Sequence, residues 1–201
     1  TATLGFGLLG VLDDVAVDQG ASGYRGHVAA LARGRLTAGS LKMVAGPAVA
    51  ILVVAPVSND SAVRLLADGA LVALSANLAN LFDRAPGRVA KVSLLMAAVL
   101  VGVTAAAPTL LGLAVVSGAA LALLVPDLRE RMMLGDAGAN PLGATLGLAT
   151  VLTVSPVART WVLVAVLALN LVSERVSFSR VIDRVAPLRA LDRMRRERPE
   201  G

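Results

Sequence analysis

Long runs of apolar residues, separated by short polar segments, most limit what this chain can fold into. The runs are Thr3–Leu12, Leu41–Val57, Val63–Leu81, Val89–Ala107, Thr109–Val125, Pro141–Val154 and Thr160–Val172. A helix needs about 20 apolar residues to cross a bilayer, with a range of about 17–25. The four middle runs qualify, and the last two must extend into flanking residues, tilt or be enclosed by protein. We therefore expect an all-α, polytopic membrane helix bundle of about six spans plus the tail of a seventh.

The composition supports the same class. Hydrophobic residues make up 56% of the chain and charged residues 16%, against about 45–50% and about 25% in soluble domains. This balance excludes a disordered chain, and the absence of cysteine excludes a disulfide scaffold or thiolate metal site. We expect one membrane domain over residues 1–201, with a basic cytoplasmic tail at 183–201. Since Thr1 begins inside an apolar run, we expect N-terminal helices of a longer chain to be missing.

The charged residues predict how the bundle is oriented. When successive segments are assigned to alternate sides of the membrane, all but two of the 19 Lys and Arg residues fall on one side. Basic residues accumulate in cytoplasmic loops, so this side is predicted to face the cytoplasm, with the C terminus there and the plasma membrane as the location. This placement accounts for the net charge of +5 without nucleic-acid binding, and contact with anionic lipid accounts for most of the arginines.

Polar residues recur along the predicted helix that ends near Phe82. Asn77, Asn80 and Asp83 are spaced i, i+3, i+6, so they line one helix face near its cytoplasmic end. Hydrogen bonding between helices would account for Asn77 and Asn80 alone. Three polar side chains near the cytoplasmic end of one helix also suit a binding site, and both interpretations stay open.

Carboxylates mark two further helix ends on the same side. Asp13 and Asp14 follow an apolar run, and adjacent helical side chains diverge by about 100°, so one can meet a cation while the other orients or deprotonates a ligand. Asp136 lies between two glycines, just before a helix expected to begin near Ala137–Pro141, whose N-terminal dipole favours phosphate. A solvated helix end and a plain capped loop are the alternatives.

Three acid-bearing helix ends on one side predict a shared cation site. A cluster of carboxylates is stable only beside a cation or basic side chains, and oxygen ligands without cysteine suit Mg²⁺ or Mn²⁺. Mg²⁺ held by one or two carboxylates typically takes its other ligands from water and substrate phosphates. The pattern therefore suits a phosphate-bearing lipid and a soluble phosphorylated donor.

The motifs resemble those of a known family. The segments Gly10-Val11-Leu12-Asp13-Asp14, Asn77-Leu78-Ala79-Asn80-Leu81-Phe82-Asp83 and Met133-Leu134-Gly135-Asp136-Ala137-Gly138 resemble, in order and spacing, the signatures of the polyprenyl-phosphate N-acetylhexosamine-1-phosphate transferases. That family includes phospho-N-acetylmuramoyl-pentapeptide transferase and the WecA-type enzymes. The resemblance implies Mg²⁺-dependent transfer of a sugar-1-phosphate from a UDP-sugar to a polyprenyl phosphate, with release of UMP, in cell-envelope glycan synthesis.

The resemblance also implies roles for individual residues. Asp13, Asp14 and Asp136 would be catalytic, with Asp136 and Asp14 on the metal and Asp13 activating the lipid phosphate or engaging the substrates. The residues implied in substrate binding are Lys42, Asn77, Asn80, Asp83, Arg84 and Arg88.

Two other functions stay open. The family's His-rich loop has no counterpart here, because the one histidine, His27, lies elsewhere and is interpreted as a loop residue. A catalytically silent membrane protein that binds polyprenyl lipid or a partner is therefore the alternative. A transporter is a third, although polar residues at one end rather than at mid-membrane depth argue against it. The Ala- and Gly-rich helices suit close packing within one bundle or in a homodimer.

Overall fold

The computed structural model describes residues 1–15, 32–34 and 38–194, and all regular secondary structure within these ranges is helical. The described helices are α1 (Ala2–Val15), α2 (Ala38–Val54), α3 (Ala62–Phe82), α4 (Arg88–Val103), α5 (Leu111–Leu128), α6 (Gly135–Thr153), α7 (Pro156–Ser173), α8 (Phe178–Arg184) and α9 (Ala186–Arg193), with a 3₁₀ turn at Pro108–Leu110 before α5. His27 and residues 195–201 lie outside the described ranges.

Three of the described helical segments are long and apolar enough to cross a membrane, namely α3, Pro108–Leu128 and α7. Helix α2 adds a shorter apolar stretch, Leu41–Val54. Large apolar side chains on these segments face outward, for example Leu111, which is 72% exposed, and Trp161, which is 70% exposed. An apolar outer surface suits contact with lipid. The fold is an all-helical bundle consistent with a membrane protein, and the predicted number of spans stays a prediction.

Helix α6 lies at the centre of the bundle. It packs against α1 and α3, and its side chains from Ala139 to Thr145 are buried without interruption. The sequence predicted that the apolar run Pro141–Val154 needs an extension or enclosure by protein. Both are present, since α6 begins at Gly135, six residues before that run, and its neighbours cover it.

Two glycines allow the central helices to approach closely. A β-carbon added at Gly10 of α1 would collide with the backbone of Asp136 and Ala137 in α6, and one added at Gly143 of α6 would collide with the backbone of Ser75 in α3. Small residues at such crossings let helix backbones pack tightly without a large apolar contact area. The close approach brings the polar ends of α1, α3 and α6 to one place.

Successive helices alternate in direction, which gives the bundle two ends. In α1, Thr3 lies beside Thr145 of α6, with 3.3 Å between their hydroxyl oxygens, whereas Asp14 contacts the start of α6. Helix α3 also runs antiparallel to α6, and its C-terminal Asn80 reaches Asp136. We call the end of the bundle at which α6 begins the site end.

The opposite end is held by a buried carboxylate. Asp68 of α3 is 1% exposed, and its Oδ2 accepts hydrogen bonds from the Ser58 hydroxyl at 2.8 Å and the Arg159 guanidinium at 2.6 Å. Arg64 lies 3.8 Å from the other oxygen. Arg64 and Arg159 are the two basic residues that the charge count assigned to the opposite side of the membrane from the others. In the structure they neutralise a buried acid and join α3 to α7.

The segment predicted as a basic tail begins inside secondary structure. Residue 183 lies in α8, and most of the following residues up to Arg193 form α9. Helix α9 folds back onto α4, where Asp192 accepts hydrogen bonds at 2.7 and 3.1 Å from the guanidinium of Arg88. Both side chains are buried, so Asp192 anchors this segment to α4, whereas the other described residues from 183 to 194 are exposed.

Candidate active site

Side chains from four helices meet at the site end around one ammonium group. Lys42, near the start of α2, donates to the carboxylate of Asp13 in α1 at 3.3 Å and to that of Asp136 in α6. Asn80 of α3 donates to the same oxygen of Asp136 at 3.2 Å. The side chains of Lys42, Asp13 and Asp136 are 20%, 29% and 19% exposed. They are therefore shielded from bulk water but reachable by a ligand.

Asp14 has a different role from its neighbour. Its two carboxylate oxygens accept hydrogen bonds from the backbone N–H groups of Asp136 at 3.1 Å and Ala137 at 2.9 Å. Those groups belong to the first turn of α6, where N–H groups have no partner within the helix. Asp14 therefore caps α6 and joins it to α1. The two adjacent aspartates diverge as the sequence predicted, one toward Lys42 and the other toward the backbone.

Gly135 makes this cap possible. Its φ is +62°, a left-handed conformation that favours glycine, and an added β-carbon would lie 2.9 Å from an Asp14 carboxylate oxygen. Gly135 also lies near Asp83, the residue that follows α3, and its backbone N–H lowers the pKa of that carboxyl. The N-terminus of α6 is thus capped by a carboxylate from α1 and lies beside a second one at the end of α3.

The carboxyl group of Asp83 has a raised pKa. Its pKa rises from the ordinary value of 3.8 to about 6, first because the group is buried and second because Asp127 lies nearby; the hydrogen bond from Gly135 partly offsets the rise. Asp136 and Asp14 add smaller repulsions of the same sign. Several carboxylates therefore share one region, which favours the arrival of a cation.

Two of the predicted substrate-binding residues lie apart from the carboxylates. Asn77 donates to the side chain of Asn170 in α7 at 2.7 Å, which is the interhelical role left open above. Arg88 is 5% exposed and is held by Asp192 and by Ser179, whose hydroxyl lies 2.7 Å from it. The prediction that Arg88 binds substrate does not fit this arrangement, because its guanidinium is engaged in the interior. Arg84 is exposed beside Asp83.

Asp127 belongs to the same electrostatic region and was not singled out by the sequence analysis. It lies near the end of α5, is 2% exposed, and contributes to the raised pKa of Asp83. The signal available in the sequence was an acid directly after Pro126, at the end of an apolar run. Asp13 and Asp14 show the same signal.

The donor set fits one Mg²⁺ ion in part. Across residues 1–15, 32–34 and 38–194, no three His, Cys, Asp or Glu side chains gather closely enough to enclose a metal. Mg²⁺ needs only one or two carboxylates when phosphates supply the remaining ligands, and Asp13 and Asp136 already share one cationic group. Asp14 was predicted as the second metal ligand. Because both its oxygens are engaged by α6, Asp13 is the better partner for Asp136.

Comparison of the chain with models of known protein families, with curated proteins and with solved structures finds no match. The resemblance described above therefore rests on the three motifs. In the structure, each motif contributes at least one carboxylate to the surroundings of the first turn of α6, through Asp13 and Asp14, Asp83, and Asp136.

Proposed function

We propose that this protein transfers a sugar-1-phosphate from a UDP-sugar to a polyprenyl phosphate at the cytoplasmic face of the plasma membrane, in a Mg²⁺-dependent reaction that releases UMP. The sugar is of the N-acetylhexosamine type, and the product serves cell-envelope glycan synthesis. The observation that carries the proposal is the meeting of Asp13, Lys42, Asn80 and Asp136, from four helices, at one end of an apolar bundle.

The arrangement suits phosphoryl transfer because that chemistry needs alignment and charge neutralisation more than covalent help. An oxygen of the lipid phosphate attacks the phosphorus that carries the sugar, the bond from that phosphorus to the bridging oxygen breaks, and UMP leaves. Lys42 lies between two carboxylates and can turn toward a phosphate. Asp13, the more exposed of the two carboxylates, receives the proton of the lipid phosphate.

Asp136 and Asp13 would hold the metal, and Asn80 would orient Asp136 through its hydrogen bond. When bound, Mg²⁺ supplies neutralisation of the diphosphate charge and polarises the phosphorus–oxygen bond. Asp14 acts indirectly, since it fixes the first turn of α6 and thereby the position of Asp136. Asp83 lies in the same region, beside Gly135 at the start of α6.

The direct test uses purified protein with radiolabelled UDP-sugar, polyprenyl phosphate and Mg²⁺. We expect a lipid-linked labelled product, and a loss of about 100-fold or more in Asp136→Asn, which keeps the side chain's size but removes its charge. Asp60→Asn is the matched control, because Asp60 is an exposed carboxylate between α2 and α3. Absence of product with every donor, or full activity of Asp136→Asn, would contradict the proposal.

The second candidate is a catalytically silent protein that binds polyprenyl lipid or a partner enzyme, favoured by the absence of a His-rich loop from the sequence. Polyprenyl phosphate binding that is unaffected by Mg²⁺ and gives no turnover would support it. The membrane orientation is tested separately, by labelling single cysteines introduced at Arg131 and at Asp60. The proposal requires the first to be accessible from the cytoplasm and the second from outside.

A further inference from the structure

A polar cavity opens at the site end, beside the carboxylates but outside them. Its volume is about 210 Å³, and it is lined where α3, α7 and α8 come together. Three arginines line it: Arg84 after α3, Arg175 after α7, and Arg180 in α8. Ser173 and Ser177 add hydroxyl groups. The cavity is formed by segments that meet only in the folded chain.

The three guanidinium groups are available for a ligand. Within the described ranges of the chain, none of them forms an ion pair with a carboxylate. Glu174 also lines the cavity, so three positive charges face one negative charge. A surplus of guanidinium groups is the chemistry that recognises phosphate.

The walls of the cavity are fixed by packing. Phe178, at the start of α8, stacks on Phe82 at the end of α3, with ring centroids 5.1 Å apart and planes at 11°. The Ser173 hydroxyl donates to the Asn170 carbonyl oxygen at 2.6 Å, so it fixes this wall of the cavity and leaves Ser177 as the hydroxyl that can donate to a ligand. The stack joins the cavity to the end of α3, next to Asp83. Arg84, which follows Asp83 in the chain, therefore lies between the cavity and the carboxylates.

We propose that this cavity binds phosphate groups, through Arg175 and Arg180 together with Arg84. The nucleotide of the donor and the head group of an anionic lipid are the two sources of such a phosphate. Phosphate binding rests on the cavity alone, whereas assignment to the donor rests on the proposed function. The residues of the loop between α7 and α8 would then contribute to ligand affinity without touching the reacting atoms.

Calorimetric titration of the purified full chain, without divalent cation, tests this proposal. The probes are UDP against uridine, inorganic phosphate, and short-chain phosphatidylglycerol against short-chain phosphatidylcholine. We expect Arg175→Gln and Arg180→Gln each to weaken binding of the phosphate-bearing probe by about tenfold or more. Arg184→Gln is the matched control, since it removes the same charge from α8 outside the cavity lining and should leave affinity unchanged.

The outcomes separate the two sources. Loss of UDP binding with unchanged phosphatidylglycerol binding assigns the cavity to the nucleotide, and the reverse assigns it to lipid. The proposal is overturned if phosphate-bearing probes bind no better than their counterparts, or if both variants bind as the parent does. The thermal midpoint of each variant shows whether it is folded. Binding of UDP by a protein that makes no lipid-linked product would refute the transferase function and leave the cavity proposal standing.

Discussion

The carboxylate of Asp14 accepts a hydrogen bond from the backbone N–H of Asp136, with 3.1 Å between the oxygen and the nitrogen. This contact joins two of the sequence motifs, the one that ends at Asp14 and the one that contains Asp136. It links the position of the proposed metal ligand to the packing of α1 against α6.

The first prediction concerns this cap. Asp14→Ala should lower the free energy of unfolding by about 1 kcal/mol, the usual cost of losing a side-chain acceptor at a helix start, and should reduce transfer because Asp136 is no longer held. Asp14→Asn keeps one acceptor oxygen and should lose less of both. Thermal unfolding and initial rates measure the two effects. Equal behaviour of Asp14→Ala and the Asp60→Ala control would show that the cap has no energetic role.

The second prediction separates binding from turnover at Lys42. Removing its ammonium in Lys42→Gln leaves Asp13 and Asp136 without their shared cation, so Mg²⁺ should raise the thermal midpoint more than in the parent. Turnover should nevertheless fall by about 100-fold or more, because a charge aimed at phosphate is lost. Lys42→Arg keeps the charge and should retain the parent's weaker Mg²⁺ response. If Mg²⁺ stabilised none of the three proteins, the site would not be a metal site.

The third prediction follows from the raised pKa of Asp83, which is about 6. Because the folded state holds this proton more tightly than the unfolded state, whose pKa is near 3.8, the contribution of Asp83 to stability should fall as the pH rises from about 4 to about 6 and then level off. Asp83→Asn should remove this contribution and be the more stable protein at pH 7. Thermal midpoints across pH 4–8 measure the difference between the two proteins. A difference that does not change through that window would contradict the assignment.

The fourth prediction concerns the close approach of α3 and α6. Gly143→Ala places a β-carbon against the backbone of Ser75, and overpacking of this kind costs about 1–3 kcal/mol. Gly102→Ala in α4 is the control, since nothing lies within 4 Å of its added β-carbon. Replacing a helical glycine there should be neutral or mildly stabilising. Comparable losses in both variants would mean that helix crossing does not depend on Gly143.

The fifth prediction tests the opposite end of the bundle. Asp68→Leu leaves Arg159 buried without its partner and should cost about 3–5 kcal/mol, whereas the double change Asp68→Leu with Arg159→Met should recover much of that loss. Turnover per folded molecule should be unaffected, because these residues lie at the other end from Asp136. A double variant no more stable than the single one would show that the two side chains are not coupled.

The sequence predicted which carboxylates belong together better than it predicted their individual contacts. Helix spacing and alternating segments placed Asn80 and Asp136 at the same predicted membrane face, and in the bundle the two side chains meet. The membrane face itself stays a prediction. Which of Asp13 and Asp14 contacts Lys42, and which caps α6, could not be predicted from the sequence. It depends on how closely Gly10 allows α1 to approach α6, and spacing along one helix contains no information about the neighbouring helix.

Arg88 shows the same limit over a longer distance. Its position in a loop of positive charge, directly after the Asp83 motif, made it resemble a phosphate ligand. Its partner, Asp192, lies 104 positions away in a segment interpreted as a tail. The composition of that segment is basic, which concealed an acid, Asp192, that packs inward. Charge counts over a segment predict its side of the membrane but not which of its residues are buried.

The contact between α4 and α9 bears on how shortened forms of this protein can be made. Lys91 donates to the carbonyl oxygens of Asp192 at 2.9 Å and Met194 at 2.7 Å, and so closes the end of the last described helix. Truncation before residue 192 would leave the buried guanidinium of Arg88 without its carboxylate partner, five residues after Asp83 in the sequence. Deletion series and C-terminal fusions should therefore keep Met194, since a loss of activity on shorter truncation would report a damaged scaffold rather than a missing functional group.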